Sequence, residues 1–388
     1  MKTIKEFINK KQKTRSPEAP DMNSRDSMDV VHILFFSPKL NATGYYRMLL
    51  PCLELAKTSN FKTHVIGLSK EDFNAPFELA KVPLLDDWVL WADYMVFPIL
   101  TKDFMYFFKA CKVINPELQI VMDVDLVLHT LSPQDPLHKK TTDEMLTAFG
   151  DNLNLVDIIT AHNDYILDFY QEFLEKHYDN RSIFFAHIPN LISLIGYQEI
   201  EPTMPKDKDK LRIGMLVNQR YAKDLELVLE PLQKIQEKYK DKISLIVFGW
   251  NGLLQDGSKP LDTLAIEYHK SVPFTNHLKK LSTLHLDIAL LPIQNKASRR
   301  FASDMHYLEL VSLGIPVIAS KNSIFNEYII EGKIGNLVQG ASQWQQTIEK
   351  YIENESHRKA IGKAAKEHIW DVYSYDDQNI QLFTELYF

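Results

Sequence analysis

Cysteine is nearly missing from this chain: its 388 residues include only Cys52 and Cys111. The two form no CxxC and no Cys/His cluster, which excludes a cysteine-based zinc site and fits a reducing compartment. Both read as small buried hydrophobes. Long apolar runs are also lacking. No stretch approaches the ~20 apolar residues that cross a bilayer, and the N-terminal MKTIKEFINKKQKTRS has no apolar centre of the kind a secretory signal carries. The expected location is therefore the cytoplasm. Positive charge is in deficit, with 44 Lys and Arg against 51 Asp and Glu for a net charge of -7. That balance opposes sequence-independent nucleic-acid binding, which depends on neutralising many phosphates, while leaving a local basic groove possible. Neither half opens on a GxGxxG turn followed by an acid some twenty residues on, which argues against a nicotinamide-dependent dehydrogenase.

What is present is a globular composition, 45% hydrophobic and 24% charged, on a chain too long for one ordinary core. Two α/β domains are expected. Residues 1–28 are a polar extension rich in lysine, where Ile4, Phe7 and Ile8 share one helical face and suggest a weak peripheral contact with an anionic membrane surface. From VVHILFFSP onward, apolar runs of strand length alternate with helical segments, the pattern of a parallel sheet with crossover helices. Strands are expected at 30–36, 63–68, 93–99, 118–123, 156–160 and 183–188, with helices over 46–58, 102–113 and 164–177. This first domain spans 29–195. A linker with Pro202, Pro205 and a charged run fills 196–210. A second domain, 211–369, has expected strands at 211–217, 243–249, near 270–273, 286–292 and 315–320. Helices are expected over 224–239 and 304–313, and the tail 370–388 is expected to pack back on the first domain. Two doubly wound domains of this kind, facing a central cleft, place ligands at the carboxyl ends of their strands.

The segment LDIALLPIQNKASRRFASDMHYLELVSLGIPVIAS is the most informative. A buried strand ends at Pro292, Arg299 and Arg300 follow in a polar loop, and Ser303 is a plausible N-cap for a helix that stops at Gly314. Unpaired N–H groups and the positive end of the helix dipole make such a start a docking place for diphosphate. Glu309, further along, is suited to accept hydrogen bonds from ribose hydroxyls. Ser303, Asp304, Glu309, Gly314, Pro316 and Val317 together resemble the donor-binding stretch of GT4-type glycosyltransferases, the glycosyl transferases group 1.

That resemblance implies the GT-B fold, a nucleoside-diphosphate sugar as donor, and a hexosyl or pentosyl group moved to an acceptor hydroxyl with retention and without a metal or other cofactor. It implies that Glu309 holds the ribose and that amides near the helix start hold phosphate. Phe301 stands where the family's E-x7-E pattern has its first Glu, and Ala302 and His306 stand where a related subgroup has basic residues. MLVNQRYAKDLELVLEPL resembles the family's basic loop, in which Arg220 and Lys223 would neutralise the departing pyrophosphate.

In the first domain, SPKLNATGYYRMLLP resembles the family's Gly-Tyr-Tyr-Arg turn. It offers Asn41, Thr43, Tyr45 and Arg47 for the acceptor and Gly44 beneath the donor. Asp123 and Asp125 end a strand, with His129 beyond. A metal-binding DxD belongs to a different fold with a single nucleotide domain, so Asp125 and His129 are read instead as groups that orient or deprotonate an acceptor hydroxyl. His162 and Asn163 follow another strand, and Trp250 offers a ring for base stacking. Glycan, lipid-linked sugar, protein and modified DNA remain open as acceptors. A sugar-nucleotide epimerase and a non-catalytic nucleotide-binding scaffold remain open as alternatives to transfer.

Overall fold

The computed structural model describes residues 19–22, 29–67, 84–133, 135–178, 182–198, 200, 210–254, 257–321 and 323–388. The stretch around Ile4, Phe7 and Ile8, and linker residues 201–209, lie outside the described residues. The rest forms two units. One contains the chain up to Leu131, His138–Ile195 and Tyr375–Phe388; the other contains Ser132–Leu137 and Gly196–Ser374.

The first unit is built on six parallel strands: β1 (Val31–Ser37), β2 (Phe61–Gly67), β3 (Tyr94–Phe97), β4 (Gln119–Asp123), β5 (Ile158–Ala161) and β6 (Phe184–His187). Their order is β2-β1-β3-β4-β5-β6, so the winding direction reverses between β1 and β3. Every residue of β1 is buried, as a central parallel strand covered on both faces demands. Of its polar residues, His32 is satisfied by Asp93, which accepts from its backbone N–H at 2.8 Å and lies 3.3 Å from its ring Nδ1, and the Ser37 hydroxyl lies 3.3 Å from the Lys39 carbonyl.

The crossovers are α1 (Leu50–Leu55), α2 (Leu85–Trp91), α3 (Met105–Ile114), α4 (Asp143–Leu153) and α5 (Asp164–His177). Helix α5 shows why they form where they do. Asn163 accepts from the Tyr165 N–H as N-cap, Asp164 sits in the first turn, Lys176 and His177 sit in the last, and Ile166, Leu167, Tyr170 and Leu174 are buried. A π-helical turn, Gly44–Leu49, leads into α1. Helices α2 and α4 are additions to the sequence reading.

The second unit carries β7 (Leu211–Leu216), β8 (Ile243–Phe248), β9 (Ile266–His269), β10 (Ile288–Leu291), β11 (Val317–Ser320) and β12 (Asn336–Val338). The order is β12-β11-β10-β7-β8-β9, all parallel, with the reversal between β7 and β10. Helices α6 (Glu226–Tyr239), α7 (His277–Ser282), α8 (Met305–Ser312), α9 (Gly340–Glu353) and α10 (Glu355–Val372) accompany it. Its core joins Met215, Leu245 and Leu290 from the strands to Val228 and Leu232 of α6 and Trp344 and Ile348 of α9.

Three expectations need correction here. The strand expected near 270–273 is β9, a few residues earlier, because Pro273 lacks the N–H a ladder needs and instead precedes a short 3-10 turn at Phe274–Asn276. Strand β12 was not expected. Trp250, offered for base stacking, is only 3% exposed within the core, where its Nε1 donates to the Leu253 carbonyl at 2.8 Å.

The chain returns to the first unit at its end, through α11 (Asp377–Tyr387). The Tyr387 ring meets Tyr94 at 4.7 Å between centroids and Phe61 at 6.4 Å, and Phe388 meets Phe61 at 5.7 Å.

Candidate active site

In the second unit a pocket opens at the carboxyl ends of β7 and β10, where the strand order reverses and open α/β sheets bind ligands. Leu216, Val217, Leu291 and Pro292 form its floor, and Ser303 and His306 line it from the start of α8. Tyr221 and Asp224 line it from the loop after β7. Two guanidinium groups lie over the Tyr221 ring, Arg299 at 4.7 Å and Arg220 at 5.4 Å from its centroid. Both have carboxylate partners. Arg299 Nη2 lies 3.2 Å from buried Asp224, and Arg220 Nε lies 2.9 Å from Asp135. Burial pushes the Asp224 carboxyl above the usual carboxylate range, and Arg299 opposes that rise. Asp135 engages only the Nε edge of Arg220, so the two terminal amino groups have no hydrogen bond among the described residues.

Lys223 and Arg300 are exposed, the latter with its guanidinium 4.8 Å from the Phe301 ring centre. Asp304 is the N-cap residue of α8 in position but makes no side-chain cap. Its carboxylate receives a hydrogen bond from Tyr328. Ser303, expected to cap, does accept from the Met305 N–H at 3.3 Å. Glu309 is 2% exposed, and the His277 ring donates from Nε2 to its Oε2 at 3.2 Å. Burial lowers the His277 pKa, but the charge of Glu309 and its hydrogen bond outweigh burial and leave it above the usual histidine value. His306 is shifted the other way, downward, chiefly by burial.

In the first unit, Asp125 accepts a hydrogen bond from the Thr43 hydroxyl. Burial pushes its carboxyl above the usual range; Thr43 opposes this, Asp123 adds to it, and His162 and Arg47 oppose it. A carboxyl shifted upward is nearer the working range of a general base. Asn41 shapes the turn by accepting from the Gly44 N–H at 2.9 Å. Gly44 is required there because a Cβ would lie 1.9 Å from the Lys39 carbonyl oxygen. Tyr45 is buried and packs edge-on to Tyr46.

Two first-unit candidates are otherwise engaged. Arg47 directs Nε and Nη2 to the two Asp123 oxygens at 2.9 and 2.7 Å. Its Nη1 donates to Ile188, Pro189 and Asn190 at 2.8, 3.1 and 3.3 Å. Asp123 also accepts from Thr160 at 2.7 Å. His129 lies among Phe149, Phe169, Tyr170 and Phe173, the last at 4.3 Å between ring centres. Burial lowers its pKa. The structure brings Asp125 together with Thr43 and sets His129 in this aromatic cluster.

Residues 197–368 match the family described as Glycosyl transferases group 1. Solved structures similar to the whole chain include a glycosyltransferase from Rickettsia africae, at 15% identity and a TM-score of 0.58, covering 92% of this chain and 98% of that one. Anabaena HepE in complex with UDP and glucose matches at 14% identity and a TM-score of 0.57, covering 91% and 98%. TarM matches at 13% identity and a TM-score of 0.50, covering 78% of this chain and 58% of TarM. No curated protein matches. The shared architecture gives the chain the GT-B fold, and its second unit carries the family match.

Within the matched residues, the departure at Phe301 places a buried ring against the Arg300 guanidinium, a cation–π contact where the family's pattern has a carboxylate. Sequence reading missed Asp135, Asp224 and His277 as partners of the named candidates. Nothing in their spacing signals them, since Asp135 is 85 residues from Arg220 and His277 is 32 from Glu309.

Proposed function

We propose that the chain is a glycosyltransferase that moves a sugar from a nucleoside-diphosphate sugar to an acceptor hydroxyl, and that its second unit holds the donor. One observation carries the reading. At a single pocket the start of α8 meets a wall residue, Tyr221, flanked by Arg220 and Arg299. Helix N–H groups and guanidinium groups stabilise the charge that develops on a departing diphosphate. Lys223 and Arg300 add exposed positive charge, and Glu309 is assigned the ribose. That HepE was solved with UDP and glucose supports the donor class.

In this proposal basic groups do the work a divalent ion does elsewhere, so transfer is metal-independent, and it proceeds with retention. Asp125, with Thr43 beside it, orients or deprotonates the acceptor hydroxyl, and Asn41 and Tyr45 shape the turn around it. The acceptor class stays open among glycan, lipid-linked sugar, protein and modified DNA.

A thermal-shift screen of UDP, GDP and their sugar conjugates tests the donor assignment, because a ligand that binds only the native state raises its stability. At least one nucleotide raises the melting temperature, and the cognate sugar nucleotide then loses its sugar to acceptor or water in the presence of EDTA. No shift with any nucleotide sinks the donor reading. Interconversion of the sugar nucleotide without transfer would identify an epimerase instead, and activity restored only by Mn²⁺ would overturn metal independence.

A further inference from the structure

A buried carboxylate recognises two ribose hydroxyls only if its plane is fixed, and Glu309 does not fix itself. It sits in mid-helix on α8 at 2% exposure, and its Oε2 takes the His277 Nε2–H from a different element, the first residue of α7. The His277 ring is oriented independently of that bond. It is stacked on Phe274 of the preceding turn at 5.2 Å and 7°, and on Phe248 at the end of β8 at 5.0 Å and 27°. Two apolar stacks therefore hold the imidazole plane, and the imidazole holds the carboxylate.

Phe248 and Phe274 do not titrate. On α8 the facing groups are Glu309 itself and His306, whose pKa burial lowers. His277 thus gives Glu309 a charge-assisted hydrogen bond from a different element. Metal ligands position one another in a similar way, through a partner behind the group that makes the contact.

We propose that His277 is a positioning residue for donor recognition, holding Glu309 in the orientation that reads the nucleotide ribose; this rests on the reading of Glu309 as the ribose ligand. His277 does not touch the sugar, so its effect appears only with nucleotides that carry the hydroxyls.

The probe is UDP, or GDP where GDP is the nucleotide that stabilises the wild type, each compared with its 2′,3′-dideoxy form by calorimetry. Wild type binds the ribonucleotide about ten- to hundred-fold more tightly than the dideoxy form, the range of a charged hydrogen bond. His277→Phe keeps the stacked ring and loses the N–H. It lowers that discrimination about ten-fold while leaving dideoxy binding unchanged, and it raises the donor KM by a similar factor with kcat nearly constant. His277→Gln returns an amide N–H near the Nε2 position and restores discrimination to within about three-fold. Where His277→Phe fails to fold, His277→Asn, whose amide is too short to reach Oε2, replaces it with the same expectation.

Full discrimination in His277→Phe, or an equal loss for both nucleotides, overturns the inference and leaves the donor site standing. A wild type that binds ribo and dideoxy forms equally removes the Glu309 assignment and the inference with it.

Discussion

Each unit contains an arginine paired to an aspartate near the carboxyl end of its sheet, and the two pairs are built for different purposes. Arg47 and Asp123 are each about 5% exposed, and all three guanidinium nitrogens of Arg47 donate to the protein. Arg220 is 22% exposed and Asp135 9%, and only Nε of Arg220 is engaged. The first pair closes a network that holds the π-helical turn to β4 and to the chain after β6. The second leaves two amino groups without a hydrogen bond among the described residues. Residue type and motif position are alike in the two turns; saturation of the guanidinium separates them, and the proposed function gives the donor to the unsaturated one.

The largest expected effect breaks the first pair. Asp123→Ala leaves a buried guanidinium uncompensated and lowers unfolding free energy by about 3–5 kcal/mol, read from the urea midpoint. A shift of less than about 1 kcal/mol would show that Arg47 is not held as a buried cation.

Next is Glu309→Gln, which weakens ribonucleotide binding by about ten- to hundred-fold, equivalent to roughly 1.5–3 kcal/mol. Because the carboxylate is paired with His277, the melting temperature also falls. An altered melting temperature with unchanged nucleotide affinity would reduce Glu309 to a structural ion pair.

Arg220→Gln sharpens the comparison from the other side. Donor affinity drops about ten-fold, while stability changes by less than about 1 kcal/mol because the pair is only partly buried. Equal losses in stability for Arg220→Gln and Asp123→Ala would erase the distinction between the pairs.

The smallest effect is on pH dependence. Since the folded state holds the His277 pKa above its ordinary value, its contribution to stability is fully present below the unfolded pKa and is lost as pH rises through the folded value. The melting-temperature advantage of wild type over His277→Gln therefore shrinks as pH rises above the ordinary histidine value of about 6.5. A constant gap across that range would mean the histidine does not titrate there.

The fold was legible because both sheets are written as apolar runs of strand length punctuated by helices with recognisable caps. Asn163 before α5 and Gly314 after α8 are where the chemistry of termini puts them, the latter at φ 81°. Short elements escaped. β12 has three residues, too few to show a period. Glu309, Arg220 and Arg299 were visible as charged residues beside a strand–loop–helix pattern. Their partners were not, because Asp135 and His277 reach them through tertiary packing that no local spacing encodes. Trp250 and His129 are both residue types that serve ligands well, and no local spacing shows that the first is buried in the core or that the second sits half-buried in an aromatic cluster.

The return of Tyr375–Phe388 to the first unit also has a consequence for synthesis. Domains generally assemble in the order in which the ribosome delivers them, yet the Phe61 and Tyr94 rings of the earlier unit stay without Tyr387 and Phe388 until the end of the chain is made. The half that is translated first is thus completed last. The later unit, contiguous from Gly196 to Ser374 apart from Ser132–Leu137, has all its strands in hand before the earlier one receives its closing helix.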